Sequence, residues 1–215
     1  MIKIKNYIYG EFVNPISDNW LDNYNPSNGE VYGQIPNSNA EDVESAYQAA
    51  AKAFPSWSTT TLDERSTILF KIADLIHENL DELAQAESKD NGKPISLAKR
   101  VDIPRAASNF RFFAHALTQF SSEAHESVGH DTINFTLRHP IGVVGCISPW
   151  NLPLYLFSWK IAPALAAGNC VIAKPSEVTP MTAFLLSKIC MDAGLPAGVL
   201  NIVHGYGHKA GQAMV

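Results

Sequence analysis

Cysteine is scarce in this sequence, and the few cysteines form no recognisable pattern. There are three among 215 residues, at positions 146, 170 and 190, and no two are spaced as Cys-x-x-Cys. A disulfide framework or a structural zinc site needs more thiols at closer spacing, so the sequence argues against both. We expect no metal ligands.

Long apolar runs, strong net charge and repeats are also missing. No stretch reaches the roughly 20 apolar residues of a membrane span, and residues 1–6 contain no apolar export segment. Sixteen Lys plus Arg against 21 Asp plus Glu give a net charge of −5, which does not favour a nucleic-acid surface. We therefore expect a cytoplasmic globular protein with no nucleic-acid or membrane partner.

Residues 140–174 are the most informative stretch that is present. Residues 141–148 are apolar, β-branched and too short for a helix, which is typical of a buried strand. Two prolines bracket residues 150–152 and stiffen the turn that follows. Open α/β sheets place ligand chemistry at the carboxyl ends of such strands. Asn151 in this turn is either an Asx turn or helix cap, or a hydrogen-bond donor to a ligand.

The chain beyond this turn alternates helices and short strands. The predicted elements are a helix over 154–167, a strand over 170–173, a helix over 180–193 with Thr179 as its N-cap, and a strand over 199–203. Gly168 stands where a left-handed residue ends a helix. Strands and helices in this order predict an α/β fold, namely half of a Rossmann-type, doubly wound nucleotide-binding sheet.

A polar loop follows one of these strands, and a Gly-rich turn follows another. Lys174 and Glu177 could hold the hydroxyls of a ribose, or they could be a solvated ion pair. The last strand runs into a Gly-rich turn at 205–211, where backbone amides could approach a pyrophosphate at a helix start. Its glycine spacing is one residue longer than the usual dinucleotide fingerprint, so the turn alone is a weak signal.

The first 120 residues predict hairpins followed by helices. The predicted elements are a hairpin over 7–13, two strands joined by a turn at 25–29, a helix over 40–54 capped by Asn39, a helix from the Thr61–Glu64 capping box to 91, and a helix over 96–120 kinked at Pro104. Residues 132–138 alternate polar and apolar side chains, which predicts a strand with one apolar and one wet face.

Several blocks in fixed order resemble the NAD(P)-dependent aldehyde dehydrogenase superfamily. They lie at 149–153, 159–160, 163–169, 174–177 and 194–201. The resemblance covers essentially the whole chain. Residues 86–90, 102–105 and 109–113 are similar to the muconic-semialdehyde branch, which oxidises semialdehydes such as 2-aminomuconate or 2-hydroxymuconate semialdehyde.

The resemblance implies NAD-dependent oxidation of an aldehyde to a carboxylic acid through a cysteine thiohemiacetal. It implies that Asn151 is a catalytic residue, the donor to the aldehyde oxygen as that oxygen gains charge. The implied cofactor-binding residues are Ile147, Ser148, Trp150, Lys174, Ser176, Glu177, Gly207 and Gly211. Glu177 favours NAD over NADP, because a carboxylate repels a ribose phosphate.

Arg105, Tyr155 and Trp159 are the candidate substrate-binding residues. Tyr155 and Trp159 share a helical face with Leu152 and Leu156, which lines the substrate tunnel in the family or packs in the core. Arg105 could clamp a substrate carboxylate with two hydrogen bonds. On spacing alone a surface arginine is as good an interpretation, and the branch resemblance favours the clamp.

The resemblance divides the chain into three regions. Residues 1–120 are the N-terminal part of the NAD-binding domain, and residues 139–215 are the first part of its cofactor sheet. Residues 121–138 are an oligomerisation β-arm, through which such dehydrogenases form dimers or tetramers. An edge hairpin within one subunit is the alternative, although an arm would also cover an open sheet edge.

The family's nucleophile is not among the cysteines of this chain. Cys146 and Cys170 fall in predicted buried strands and Cys190 falls on a helix, where thiols are inert. The resemblance places the nucleophile and its glutamate beyond residue 215, so the catalytic domain is absent and we expect no turnover from this chain alone. The alternatives are a non-catalytic NAD-binding module and a half that complements a second polypeptide.

Overall fold

The computed structural model describes all residues from 1 to 215 and has three β-sheets with helices packed around them. The strands are β1 (Ile2–Lys3), β2 (Asn6–Ile8), β3 (Glu11–Val13), β4 (Trp20–Asn25), β5 (Glu30–Pro36), β6 (Ala124–Ser127), β7 (Thr132–Phe135), β8 (Val143–Ile147), β9 (Cys170–Lys174) and β10 (Leu200–Ile202). The helices are α1 (Ala40–Trp57), α2 (Leu62–Glu78), α3 (Leu80–Asn91), α4 (Ile95–Leu97), α5 (Ile103–Gln119), α6 (Pro153–Ala166) and α7 (Met181–Asp192). Two segments, Ala98–Asp102 and Gly207–Gly211, are π-helical.

The largest sheet has five strands in the order β3-β2-β10-β9-β8. β8, β9 and β10 run parallel, and α6 and α7 are the crossover helices between them. The β2–β3 hairpin adds to β10 in the antiparallel direction, so strands from both ends of the chain share one sheet. α1 packs against β8, β9 and β10. The predicted α/β fold is confirmed, with the N-terminal hairpin making the sheet mixed.

The predicted strand at 141–148 forms, and within residues 1–215 it is partly exposed rather than buried throughout. β8 is the last strand of its sheet, with β9 as its only neighbour. Gly145 and Ile147 are therefore exposed, whereas Cys146 is buried. An apolar run gives the length of a strand without telling whether both of its edges are paired.

The helix predicted over 61–91 is wrong as a single helix, because the structure has two helices that meet at Asn79. The side-chain amide of Asn79 donates to the carbonyl oxygen of Leu75 at 2.8 Å, and its backbone N–H bonds the same oxygen at 3.0 Å. Such local side-chain bonds compete with the helical ladder and end α2. The C-terminal end of α3 contacts the segments after β8 and β9, through Asn91 with Trp150 and Asp90 with Met181.

The predicted N-cap at Thr179 is also wrong. α7 begins at Met181, and Pro180 occupies the N-cap without a side-chain hydrogen bond. The hydroxyl oxygen of Thr179 is buried without a partner. Instead the Asp90 carboxylate accepts the N–H of Met181 at 2.7 Å, so the cap comes from α3.

Pro104 follows an irregular stretch of helix, as its sequence position indicates. The N–H of Ile103 reaches back five residues to the carbonyl oxygen of Ala98, which is the hydrogen bond of a π-helix. Because Pro104 has no N–H to donate, the widened turn lies directly before the residue that would break an α-helical ladder.

Residues 121–138 contain the β6–β7 hairpin, which forms a two-stranded sheet of its own. Ile133 and Phe135 are 72% and 64% exposed. The predicted strand is present, but its apolar side chains contact no core in this chain. Within residues 1–215 the hairpin pairs with neither of the larger sheets.

A glycine between α7 and β10 lets the sheet approach α1 closely. Gly198 has φ +84°, and a Cβ atom there would lie 2.6 Å from the carbonyl oxygen of Ala49 and 3.0 Å from the Cβ of Ala53. Gly29 has a similar φ of +74°, but a Cβ atom there would meet nothing within 4 Å. The two positions separate the cost of backbone conformation from the cost of a clash.

We expect Gly198→Ala to lower the free energy of unfolding by about 3 kcal/mol or more, since left-handed strain costs about 1–2 kcal/mol and overpacking about 1–3 kcal/mol. Gly29→Ala should lose only the strain, about 1 kcal/mol. Urea unfolding of both variants measures the difference. Equal losses would show that α1 can move away from residue 198 at no cost.

Candidate active site at the ends of β8 and β9

Two loops leave the main sheet side by side. β8 and β9 pair in parallel with Ile147 beside Lys174, and the N–H of Ser148 donates to the carbonyl oxygen of Lys174 at 3.0 Å. The turn that contains Asn151 and the loop that contains Glu177 therefore start from the same edge of the sheet. This is the edge at which open α/β sheets bind their ligands.

The side chain of Asn151 has no hydrogen-bond partner within the chain. The residue is exposed, and the N-cap of α6 is Leu152 rather than Asn151. The turn is fixed instead by α3, where the Asn91 amide donates to the carbonyl oxygen of Trp150 at 2.9 Å. The arrangement is neither an Asx turn nor a cap, and it leaves the Asn151 amide available to a ligand.

Lys174 is a buried cation with two partners. Its ammonium donates to the carbonyl oxygen of Pro175 at 3.0 Å and to the Glu177 carboxylate at 3.3 Å. Burial lowers the pKa of Lys174, while the Glu177 carboxylate acts in the opposite direction. Because Lys174 is only 2% exposed, the pair is not the solvated ion pair that the sequence left open. Half-buried Ser176 lies between them in the same loop.

The Gly-rich turn brings Gly211 against this lysine. A Cβ atom on Gly211 would lie 3.5 Å from the Cε of Lys174 and 4.0 Å from the Cδ1 of Ile147, so the three predicted cofactor residues meet. The helix start predicted here is present as the π-helical segment. Gly207, four residues earlier, is exposed and is not part of this contact.

Two further features suit this edge of the sheet to a dinucleotide. The hydroxyl of Ser148 is buried and has no hydrogen-bond partner, so it can donate to or accept from a ligand. Trp150, two residues later, is 60% exposed and presents an aromatic surface. An ammonium and a carboxylate can bind two ribose hydroxyls, and a glycine leaves room for close approach. The residues present therefore fit a nicotinamide adenine dinucleotide, NAD or NADP.

His204 lies beside this site, and sequence reasoning missed it. It is 1% exposed and neither ring nitrogen has a partner. Burial, followed by the charge of Lys174, lowers the pKa of His204 to about 3, so the imidazole is neutral. Nothing in the sequence marks it, because a histidine after a strand carries no spacing signal.

The three predicted substrate residues also come together. The Arg105 guanidinium donates to the Tyr155 hydroxyl at 3.5 Å and lies over the Tyr155 ring at 5.5 Å from its centroid. The Trp159 ring packs on Tyr155 with centroids 5.4 Å apart. Trp159 is 49% exposed, so this part of α6 is not a core face. An exposed arginine framed by aromatic rings is able to bind a carboxylate.

A buried charge cluster under the Asn151 turn was not predicted either. Lys93 lies 2.9 Å from the Asp102 carboxylate and 3.7 Å from that of Glu87. Burial raises the pKa of Glu87 to about 7 and that of Asp90 to about 6. Both carboxylates lie on α3, three residues apart. Their signal in the sequence was the presence of acidic residues on the apolar face of a helix.

None of the three thiols is a candidate nucleophile. Burial raises the pKa of Cys146 to about 11 and that of Cys170 to about 12, and it raises the pKa of Cys190 as well. A thiolate is the reactive form, so these cysteines are unreactive near neutral pH. No group of His, Cys, Asp or Glu side chains has the arrangement of a metal site. No helix combines the length and the apolar character needed to cross a membrane.

A sequence model of the aldehyde dehydrogenase family matches residues 12–215 of this chain. The chain belongs to the aldehyde dehydrogenase family. The family predicted from the sequence blocks is therefore confirmed.

Individual aldehyde dehydrogenases resemble the chain closely over part of their length. The 2-aminomuconic semialdehyde dehydrogenase of Bos taurus is 51% identical over 215 residues, which are 100% of this chain and 44% of the bovine protein. The 2-hydroxymuconic semialdehyde dehydrogenase of Pseudomonas sp. strain CF600 is 45% identical over 100% of this chain and 45% of its own length. The NAD+ complex of an aldehyde dehydrogenase from Bacillus cereus superposes with a TM-score of 0.95 at 40% identity, over 99% of this chain and 43% of that one. The chain thus spans less than half the length of these relatives.

The raised pKa of Glu87 predicts a pH-dependent stability. Between its usual 4.5 and about 7 the folded chain keeps a proton that the unfolded chain releases, so the free energy of unfolding falls as pH rises through this range. Asp90 acts in the same direction between 3.8 and about 6. Glu87→Gln removes the first contribution, and its stability should fall less than that of the native chain from about pH 5 to about pH 8.

Chemical denaturation across this pH range measures the effect. Glu82→Gln is the matched control, since Glu82 is exposed on the same helix. A pH dependence of Glu87→Gln that equals that of Glu82→Gln would contradict the assignment.

Proposed function

We propose that this chain provides the oxyanion donor and the NAD-binding loops of a dehydrogenase that oxidises a carboxylate-bearing semialdehyde to the acid. The observation that carries the proposal is the position of Asn151 and of the Lys174–Glu177 pair at adjacent strand ends, in a chain of the aldehyde dehydrogenase family. Loops that share one edge of a parallel sheet can contact one dinucleotide and one substrate at once.

Asn151 is the catalytic residue of this chain. Its amide lacks a partner, and the residue is exposed two positions after Pro149 and two before Pro153. A preorganised amide N–H that points at a carbonyl stabilises the negative charge that grows on the oxygen during attack. Loss of one such donor typically costs about 3–4 kcal/mol of barrier.

NAD is the proposed cofactor, with NADP less suitable. When bound, the nicotinamide accepts a hydride from the substrate. Lys174 and Glu177 would hold the ribose, with Ser176 in the same loop, and Ile147, Ser148 and Trp150 would line the path beside β8. Gly211 leaves space next to Lys174, and Gly207 lies at the start of the same segment. The Glu177 carboxylate disfavours a 2′-phosphate, because the two negative charges repel.

Arg105 supports the proposal that the substrate carries a carboxylate. The guanidinium is exposed at one side, and its other side contacts Tyr155. Two of the relatives described above are named for muconic semialdehydes, which carry a carboxylate in addition to the aldehyde. Tyr155 and Trp159 would pack against the body of such a substrate.

The nucleophilic cysteine lies outside residues 1–215 in this proposal. The three thiols within this range are buried and have raised pKa values. The same observations also fit a second candidate function, in which the chain binds NAD without oxidising a substrate. A cytoplasmic location suits a protein whose cysteines are all unpaired.

The β6–β7 hairpin is the proposed contact between subunits. It pairs with no other strand of its own chain and exposes Ile133, Phe135 and Leu137. Apolar side chains on a strand with a free edge favour pairing with a second copy. A homodimer or a tetramer would bury them.

The chain of 215 residues should bind NAD+ and form no NADH when an aldehyde is added. Glu177→Gln should weaken NAD+ binding about tenfold, because it removes a charge-assisted hydrogen bond worth roughly 1.5 kcal/mol. Isothermal titration gives the affinity and absorbance gives NADH. Glu78→Gln, an exposed substitution on α2, is the control. Equal affinities of the two variants would remove Glu177 from the cofactor site, and clear NADH formation would reveal a nucleophile within 1–215.

In the active dehydrogenase that contains this chain, Arg105→Ala should raise KM for a carboxylate-bearing semialdehyde by about tenfold or more. KM for a neutral aldehyde of similar size should stay within about twofold, since no ion pair with that substrate is lost. Arg100→Ala, at an exposed position in the preceding π-helical segment, is the control. Equal changes for the two substrates would exclude a carboxylate clamp at Arg105.

A further inference from the structure

The last turn of α3 contacts the Asn151 turn at both of its ends. The side-chain amide of Asn91 donates to the carbonyl oxygen of Trp150 at 2.9 Å, directly before Asn151. The Glu87 carboxylate accepts the N–H of Leu154 at 3.4 Å, three residues after it. Glu87 and Asn91 are four residues apart on one helix, so they lie on the same face.

The backbone from 149 to 154 makes two hydrogen bonds with side chains elsewhere in the chain, and these are the two. Pro149 and Pro153 limit the internal shape of the turn, but a proline ring does not fix its position relative to the sheet. The N-cap residue Leu152 offers no polar side chain to the helix start. The side-chain hydrogen bonds that hold the Asn151 turn therefore both come from α3.

We propose that Glu87 and Asn91 are positioning residues for Asn151, holding the turn so that its amide points at the reacting carbonyl. The proposal rests on the proposed function of Asn151 as oxyanion donor. Neither residue touches substrate in this arrangement, and each acts through the backbone of the turn.

The buried charges around Glu87 extend the same support towards Arg105. Lys93 pairs with Glu87 and with Asp102, and Asp102 lies in the π-helical segment three residues before Arg105. The Thr182 hydroxyl of α7 completes the surroundings of Glu87. One lysine thus connects the support of the oxyanion donor with the segment that carries the proposed carboxylate clamp.

Asn91→Ala in the active dehydrogenase tests the proposal. We expect kcat to fall about 10- to 100-fold, since a displacement of about 1 Å in a catalytic group can cost that much. The Kd for NAD+ and the thermal midpoint should match those of Gln85→Ala, an exposed substitution on the same helix. Asn91→Gln keeps an amide donor and should recover part of kcat, which a purely structural role would not require.

The outcomes separate this inference from the proposed function. If the parent enzyme oxidises aldehydes and Asn91→Ala keeps the kcat of Gln85→Ala, Asn91 does not position Asn151. If the parent enzyme oxidises no aldehyde, the proposed function fails. The effect of Asn91 on Asn151 is then tested by nuclear magnetic resonance of the isotope-labelled chain. A change in the Asn151 side-chain amide resonances in Asn91→Ala but not in Gln85→Ala supports positioning, and unchanged resonances overturn it.

The contribution of Glu87 has its own spectroscopic test. The amide proton of Leu154 should shift with pH with a midpoint near that of Glu87, about 7, and the shift should be absent in Glu87→Gln. The charged or polar groups that face Glu87 are Lys93, Asp102 and Thr182. A Leu154 amide that shifts identically in both proteins would remove Glu87 from the support of the turn.

Discussion

The parallel pairing of β8 with β9 is the constraint on which the rest of the site depends. A one-residue change in register would move Lys174 away from Ile147 and would turn each side chain of the strand to the other face. The ladder continues one step past β8, through the N–H of Ser148 to the carbonyl oxygen of Lys174. The two loops thus leave the sheet at a fixed separation, and the separation is set by backbone hydrogen bonds rather than by side-chain packing.

Around this edge the protein buries charges that do little for stability. Glu87, Asp90 and Asp102 are nearly inaccessible, as is Lys174. Removing a carboxylate or an ammonium from water costs several kcal/mol, which ion pairs and amide donors only partly recover. Glu87, Asp90 and Lys174 each accept or donate at a loop or a helix start near the candidate site. Their arrangement makes sense if it fixes the geometry of those loops, with the stability supplied by the apolar core beneath.

Local signals in the sequence were sufficient for much of the fold. Asn39 and the Thr61–Glu64 box cap their helices as predicted, because a cap involves residues at most three apart. Gly168 adopts φ +83° after α6 for the same local reason. The sequence blocks that resemble the aldehyde dehydrogenases also predicted the family and the loops of the candidate site.

Features that depend on partners distant in sequence could not be predicted. α7 is capped by Asp90, 91 residues away, whereas local sequence favours Thr179 as the cap. The exposure of β8 depends on which strands lie beside it, and no residue within 141–148 carries that information. His204 is neutral because of burial and of Lys174, which joins it only in the folded sheet. The contact of Asn91 with Trp150 bridges 59 residues and has no sequence signature.

The widened turn before Pro104 has a consequence for how this region tolerates change in length. A hydrogen bond that reaches back five residues accommodates one residue more than an α-helical turn, and each residue of an α-helix advances the rotation by about 100°. Deleting a single residue between Ala98 and Asp102 could restore a regular helix without breaking the chain path. The residues on either side of the deletion would keep their relative rotation, because the widened turn already holds the extra residue within one turn. The bulge therefore lets this segment differ in length by one residue without turning the arginine that follows it.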